Sequence, residues 1–443
     1  IYIYNNTMRL YLLISVFLCF GMMADAMNPN IVVDVNTKRY LDTDGRERYF
    51  HGVNVVYKIS PYAPGLEFDV YQSFGPQDMQ YLQDWGLNVV RLGVMWAGVE
   101  PAQSVYNQTY LSYMRHLVDL MEGYGIYALL DGHQDLFSEA YCGDGAPAWA
   151  AKPKAKEAFP LPLAAPYPLD NVTHFPSRED CNKLGWADYY GTIACSGAFQ
   201  SLYDNYEGIQ DSYSGYWQQI ATTFKTSTNV IGYELINEPW AGDVYTDPEI
   251  LIPGVADRKY LQPLYDRLNT DIRSIDPDVC IDYDRLGCAG FLTEFGETSG
   301  NSPSVIESST KIMNAVETYK QGWIFWSYKD FIPGDYESFF YNASGLPDPV
   351  RVKLFSRTYA QAVAGTTEST GFDSESGKFS ITYTINPNCQ LPTEIYLNED
   401  IYYPNGYTVE IVPNMIANYT STTNRIFIHH QLSIAEPVTI SVY

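Results

Sequence analysis

Positive charge is scarce in this sequence. Lysine and arginine number 27 against 52 aspartates and glutamates, giving a formal net charge of −25, which disfavours nucleic acid and anionic membrane surfaces as partners. After residue 26 no apolar run is long enough to cross a bilayer. No glycine-rich phosphate loop follows the first strand-like segment, so an open dinucleotide-binding sheet is a poor fit. Six cysteines follow the N-terminal stretch (Cys142, Cys181, Cys195, Cys280, Cys288 and Cys389), and their spacing suits no zinc template. Charged residues are only 18% of the chain and apolar ones 46%, ample material for a large core. A length of 443 residues then fits one large domain plus a small one. Tyrosine alone accounts for 39 residues, which serve equally as core and as flat faces for sugar rings.

The N-terminus predicts export. Met8-Arg9 precedes "LYLLISVFLCFGMM", and Ala24-Asp25-Ala26 offers a small-residue cleavage site. A positive start, an apolar run and small residues make a secretory signal, so residues 1–26 are expected to be upstream residues and signal peptide, with secretion to the extracellular space. Acceptor sequons at Asn107, Asn171, Asn342 and Asn418 agree. Six cysteines allow fifteen pairings; a pair among Cys142, Cys181 and Cys195, which share one loop-rich region, is the favoured one.

From residue 48 a short apolar run, a polar turn and a helical pattern recur. The strand candidates are "RYFHGVNVV", "NVVRLGVMW", "IYALLDGHQD", "VIGYELINEP", "GFLTEFGE" and "GWIFWSYKD", with amphipathic stretches such as "TYLSYMRHLVDLMEGYG" between them. Strands alternating with helices imply a parallel sheet. Glu100, His133, Asp135, Glu238, Glu294 and Trp326 fall at strand C-terminal ends, where a (β/α)8 barrel builds its site. The expected fold is therefore an α/β, TIM (β/α)8-type barrel over 27–360. Residues 138–215, rich in Gly, Pro and Tyr, read as an ordered cap insertion. After about residue 360 short alternating runs ("KFSITYTIN", "TEIYLNED", "YTVEIVP", "NRIFIHH", "PVTISVY") predict a C-terminal antiparallel β-sandwich over 361–443, joined by a linker "AGTTESTGFDSESG".

Glu238 follows Asn237 at one strand end, and Glu294 sits in "TEFG" at another. Two carboxylates converging on a barrel mouth suit glycosidic cleavage, one protonating the leaving oxygen and the other attacking the anomeric carbon or activating water. "INEPW" and "LTEFGE", with "GVNVVYK", "VVRLGVMWAGVEP" and "DGHQD", resemble glycoside hydrolase family 5. "NVVYKISPYAP" and "HQDLFSEAYCGDGAPAW" narrow the resemblance to its endoglycoceramidase branch, secreted enzymes that release the intact glycan from glycosphingolipids.

That resemblance implies a retaining double displacement without metal or organic cofactor, with Glu238 as acid/base and Glu294 as nucleophile. Asn237 would bind the sugar 2-hydroxyl, and Arg91 would keep the nucleophile ionised. His133, Asp135 and Lys58 would hold sugar hydroxyls over a Trp326 floor, with Trp186 beside the mouth. Each has a plainer alternative: Arg91 bridging strands, His133 pairing with Asp135, Trp326 in the core. Glu100 and Glu139 read as structural or rim residues. The implied partner is a glycosphingolipid, ganglioside or neutral, with transient membrane-surface contact and no obligate protein partner. The alternatives are a catalytically impaired glycolipid-binding form and another family-5 β-glucanase or β-glucosidase.

One spacing departs from the pattern. Acid/base and nucleophile belong on strands four and seven, which predicts roughly ninety intervening residues, yet Glu238 and Glu294 are 56 apart. Only one short strand fits between them, near Val279 to Tyr283. The barrel is expected to be short of one to two βα units, with Tyr283 a weak stand-in for the tyrosine that orients the nucleophile in relatives.

Overall fold

The computed structural model describes residues 29–443 other than 35, 155, 278, 283–289, 297–299, 332–336, 341–344 and 432–434. The expected signal segment, Tyr283, Cys288 and Asn342 lie outside the described residues. The chain starts with strands β1 (Ile31–Asp34), β2 (Arg39–Asp42) and β3 (Glu47–Arg48). It then lays down β4 (His51–Val55), β5 (Val89–Gly93), β6 (Tyr127–Asp131), β7 (Val230–Glu234), β8 (Ile281–Asp282), β9 (Phe291–Phe295) and β10 (Gly322–Phe325). These seven form one sheet in the order β8-β7-β6-β5-β4-β10-β9, with every adjacent pair parallel. All six expected barrel strands lie in it, and the short one near 279–283 is β8.

The strands are apolar because both their faces are covered; β4, β5 and β6 are buried at every position. Helix Gln108–Glu122 turns Leu111, Met114, Leu117, Val118 and Met121 inward at helical spacing, and the Asn107 side chain caps it by accepting from the Tyr110 amide. Helices Pro76–Asp84, Ile209–Phe224, Gln262–Arg273 and Pro303–Thr318 make the other crossovers. Between β8 and β9 only eight residues intervene, too few for a parallel crossover, which needs a dozen or more. Among the described residues the sheet is therefore one strand short of an eight-stranded barrel, with β8 and β9 at its two edges. Side chains cross this seam: Thr293 of β9 donates through Oγ1 to Glu234 of β7 at 3.3 Å, and Arg91 binds both Glu234 and Glu294.

Within the stretch read as the cap, a disulfide joins Cys142 to Cys181, and the Trp149 indole donates to the Glu100 carbonyl. Helix Ile209–Phe224 begins inside that stretch, a difference from the sequence reading. Its buried face (Ile209, Tyr213, Tyr216, Trp217, Ile220) is largely aromatic and interleaved with Ser, Gly and Gln, so it does not read as an aliphatic stripe.

The remaining strands are β11 (Tyr359–Val363), β12 (Gly365–Phe372), β13 (Phe379–Ile385), β14 (Thr393–Tyr396), β15 (Val409–Val412), β16 (Ala417–Thr422), β17 (Arg425–His430) and β18 (Pro437–Val442). They form two antiparallel sheets, β1-β2-β3-β11-β14-β17-β16 and β12-β13-β18-β15. Between them pack Val363, Phe379, Ile381, Tyr383, Ile395, Ile426, Ile428 and Ile440. Two features differ from expectation. Strand β12 runs through the segment read as a linker, because a bulge between Thr367 and Ser369 breaks the alternation that would mark it. The N-terminal β1–β3 complete the sandwich sheet through β3–β11 pairing, a partnership across more than three hundred residues that local pattern does not carry.

Candidate active site

Arg91, projecting from the middle of β5, is the hub of the barrel mouth. Its side chain is fully buried and every donor reaches an oxygen. Nε and Nη2 grip the two oxygens of Glu234 at 2.7 and 2.8 Å, the fork-on-fork geometry that guanidinium and carboxylate share. Nη1 donates to Glu294 at 2.8 Å and to Asn54 at 3.0 Å, while Nη2 also donates to Asn237 at 2.9 Å and lies 3.2 Å from Asp131. Sequence reading offered pairing with Glu294 or the bridging of strands as alternatives for Arg91. The structure has it bridging strands and holding Glu294 at once. Asp131, Glu234 and Asn54 went unassigned, although a glutamate inside the apolar run "VIGYELINEP" was a visible signal.

Glu294 sits near the C-terminal end of β9. Burial raises its pKa, the Arg91 and His133 cations pull it back, and the nearby charges of Asp131 and Glu238 push it up again, leaving it above the ordinary carboxylate range. Glu238, four residues beyond the end of β7, is solvent-exposed and adopts φ +36°, a left-handed backbone that non-glycine residues seldom take. The two carboxylates thus share one electrostatic neighbourhood: one half-buried and cation-bound, the other open to solvent. Asn237 between them is buried; its oxygen is held by Arg91 and its amide donates to the Gln134 carbonyl at 3.1 Å.

A second cluster lines the wall beside the carboxylates. His133 Nδ1 donates to Asp131 at 2.8 Å, its Nε2 lies 3.5 Å from Asp135, and its ring stacks on Trp326 with centroids 5.5 Å apart. Lys58 donates to Asp135 and holds its ammonium 4.7 Å over the Trp326 ring. Trp326 is half-buried just after β10. Burial opposes the charge on Lys58, but Asp135 and Asp144 outweigh it and raise its pKa. Asp135, likewise buried, is held well below the usual carboxylate range by Lys58 and His133. Asp144, buried beside Asp135, is pushed up. It arrives on a loop pressed tightly onto "HQD": Gly145, at φ +99°, leaves room where a Cβ would fall 2.6 Å from Gln134 Cα. His133, Asp135 and Asp144 place ligand atoms within 4.8 Å of one another, but the Lys58 ammonium already pairs with Asp135, at 3.9 Å from Asp144, and supplies the positive charge a metal would bring.

Trp186 stands apart from this group. It is 48% exposed, packed edge-on against Tyr190, which in turn stacks on Trp240. Glu100 accepts from the Trp96 indole and the Ser104 amide, and Glu139 accepts from the Tyr62 hydroxyl; both act as structural anchors.

Burial alone would push the His133 imidazole down, but Asp131 and Asp135 raise its pKa from 6.5 to about 9. A base held protonated this way contributes stability that is complete below its unfolded pKa and is lost as pH rises through its folded one. The thermal midpoint of the protein should therefore fall between pH 7 and 10 with an inflection near 9. His133→Phe, which keeps the stack on Trp326, should lack that step in a pH series of melting curves.

Comparison with known proteins adds an independent line. The model of the cellulase family (glycosyl hydrolase family 5) matches residues 63–284, ending where the barrel sheet is interrupted. A glycoside hydrolase family 5 C-terminal domain matches 357–442. The endoglycoceramidase of Cyanea nozakii is 35% identical over 487 residues, covering 97% of this chain and 96% of that protein. That of Hydra vulgaris is 37% identical, covering 90% and 86%. The Cyanea alignment is longer than the 443-residue chain, so that relative carries segments with no counterpart here. Among solved structures, endo-glycoceramidase II from Rhodococcus sp. in a ganglioside GM3 complex superposes with a TM-score of 0.70 at 21% identity, covering 91% of this chain and 98% of that one.

Proposed function

The chain belongs to glycoside hydrolase family 5, and from that premise we propose that it is a retaining endoglycoceramidase, cleaving the β-glycosidic bond between oligosaccharide and ceramide. The observation that carries the reading is the charge interaction between Glu238 and Glu294 at one barrel mouth, the second bound to Arg91. The relatives named above, alike over nine-tenths of the chain or more, supply the substrate class.

In the first step the Glu238 carboxylic acid gives its proton to the glycosidic oxygen. A Glu294 oxygen bonds to the anomeric carbon as the carbon–oxygen bond to ceramide breaks, and ceramide leaves as an alcohol. In the second, the Glu238 carboxylate takes a proton from water, whose oxygen displaces Glu294 and frees the glycan. Arg91 keeps Glu294 ionised for attack against the cost of its burial. The second amide hydrogen of Asn237 suits the sugar 2-hydroxyl, a contact that tightens as the oxocarbenium-like transition state forms. His133, Asp135 and Lys58 offer donors and acceptors to the reducing-end sugar, and Trp326 a face for it to stack on. Trp186 offers an apolar surface on the aglycone side.

Incubation with a defined ganglioside and a neutral glycosphingolipid in detergent, read by mass spectrometry, tests this: free intact glycan and intact ceramide are expected. Release of glucose from soluble β-glucans without attack on either lipid would instead identify a β-glucanase. The open seam between β8 and β9 favours a second reading, a glycolipid-binding form with little turnover. Saturable binding to glycolipid vesicles with no product would establish it. We also propose secretion, supported by the Cys142–Cys181 disulfide and by the exposure of Asn107, Asn171 and Asn418.

A further inference from the structure

Glu238 carries its carboxylate on a strained peptide, and the group that restrains that peptide is Gln134. The Gln134 side chain is buried between His133 and Asp135 but turns away from the saccharide wall they line. Its Nε2 donates to the Asn237 carbonyl at 2.6 Å and to the Glu238 carbonyl at 3.1 Å, and its Oε1 accepts from the Phe137 amide at 2.8 Å. The Gln134 main-chain carbonyl accepts from the Asn237 side chain at 3.1 Å, and the Asn237 amide donates to the Gly132 carbonyl at 3.2 Å. The segment after β7 is thus laced to the segment after β6 by a carboxamide that uses both hydrogens and its oxygen on protein partners. Only a carboxamide offers two donors and one acceptor in this volume: a leucine offers neither, and an ionised glutamate would set negative oxygens against two carbonyls.

We infer that Gln134 is a positioning residue for the acid/base. By tying down both carbonyls that flank the Glu238 φ/ψ pair, it holds a left-handed conformation that a non-glycine residue adopts only when its surroundings impose it and aims the carboxyl group at the leaving oxygen. This rests on Glu238 being the proton donor, and it predicts a particular kinetic signature. A misaimed acid harms substrates whose leaving group needs a proton, and spares those whose leaving group departs as a stable anion.

The test compares a lipid-linked glycan, whose alkoxide must be protonated, with a dinitrophenyl β-lactoside, whose phenolate leaves unaided. Wild type, Gln134→Leu and Glu238→Ala are assayed with and without azide. Positioned general acid catalysis contributes roughly 10²–10⁴-fold, and displacement by about an ångström costs on the order of 100-fold. Gln134→Leu should therefore lose about 100-fold in kcat/KM on the lipid and less than about threefold on the aryl lactoside. Azide attacks the anomeric carbon of the glycosyl-enzyme, displaces Glu294 and needs no proton removed, so it should speed turnover of the aryl substrate and yield lactosyl azide. Glu238→Ala should show the same pattern more strongly. An equal loss on both substrates in Gln134→Leu, or no loss on either, overturns the inference when Glu238→Ala shows the pattern. If Glu238→Ala itself shows no leaving-group dependence, the acid/base reading fails and the inference falls with it. Should Gln134→Leu fail to fold, the isosteric Gln134→Glu replaces it: its protonated form restores one donor, so its lipid activity should collapse as pH rises while its aryl activity holds. A lipid pH profile that falls in step with the wild type's, whose own fall follows the Glu238 proton, would overturn the proposal.

Discussion

Glu294→Gln should lower hydrolysis by roughly four orders of magnitude or more while the protein stays folded. The amide is isosteric and still offers Arg91 an oxygen at the position now 2.8 Å from Nη1. It cannot, however, form the ester to the anomeric carbon on which a double displacement depends. Losses of this size are what removal of an attacking group costs when the rest of a site stays intact. Folding should be little affected or slightly improved, because three carboxylates, Asp131, Glu234 and Glu294, crowd one guanidinium and the substitution removes one of them. Rates on a lipid-linked glycan, circular dichroism, and labelling by an activated 2-fluoro glycoside check the claim together. The wild-type chain should gain one glycosyl mass on the peptide containing Glu294, and the variant none. A variant within tenfold of wild type would remove Glu294 from the role of nucleophile.

The second large effect falls on stability. Arg91→Met should destabilise the fold by on the order of 3–5 kcal/mol, the usual cost of leaving a buried charge without its partner, and should abolish activity as well. The methionine fills much of the volume but takes the guanidinium from Glu234, Asp131 and Glu294, leaving only the His133 imidazolium, which pairs with Asp131, to offset them. To stay folded the variant must take up protons, so its deficit against wild type should shrink as pH falls and widen as pH rises. That trend has the sign of carboxylates whose folded pKa lies above their unfolded one. Arg91→Lys should fall between: an ammonium keeps the charge but cannot reach Glu234 bidentately and Asn54, Asn237 and Glu294 at once. Denaturant midpoints for the three proteins at several pH values give the comparison. Equal midpoints for Arg91→Met and wild type would show that the hub is electrostatically neutral to the fold.

Strands buried on both faces announce themselves as apolar runs, and the arginine inside "VVRLGVMW" and the polar residues that end "IYALLDGHQD" are those that reach the mouth. The shortage before β9 was equally readable, because the 56-residue interval between Glu238 and Glu294 cannot hold what a full barrel requires. Partners distant in sequence were hidden. Glu234 looks like an interruption of a strand until Arg91, 143 residues away, is seen to bind it. Gln134 lies unnoticed between two residues with more obvious chemistry, since its work is done on main-chain carbonyls that carry no sequence signature. Strand β12 was disguised by its bulge and its outward Thr, Ser and Glu, and helix Ile209–Phe224 by a face built from tyrosine and tryptophan.

The place of β1–β3 in the sandwich has a consequence for how the molecule can be taken apart. The first strands and the last third of the chain share one sheet, and Arg46 reaches Glu394 and the Pro392 carbonyl 346 residues downstream. The barrel is therefore held between two segments, one before it and one after it, that clasp each other. Closing such a loop costs about 5 kcal/mol of chain entropy, which the clasp must repay before it forms. Cutting near residue 360 would not free two modules. The C-terminal piece would lose three strands from its larger sheet, and the barrel would keep three strands with an unpaired edge. On the ribosome the sandwich cannot be completed until the barrel strands have already emerged, so strands made before the barrel are fastened by strands made after it.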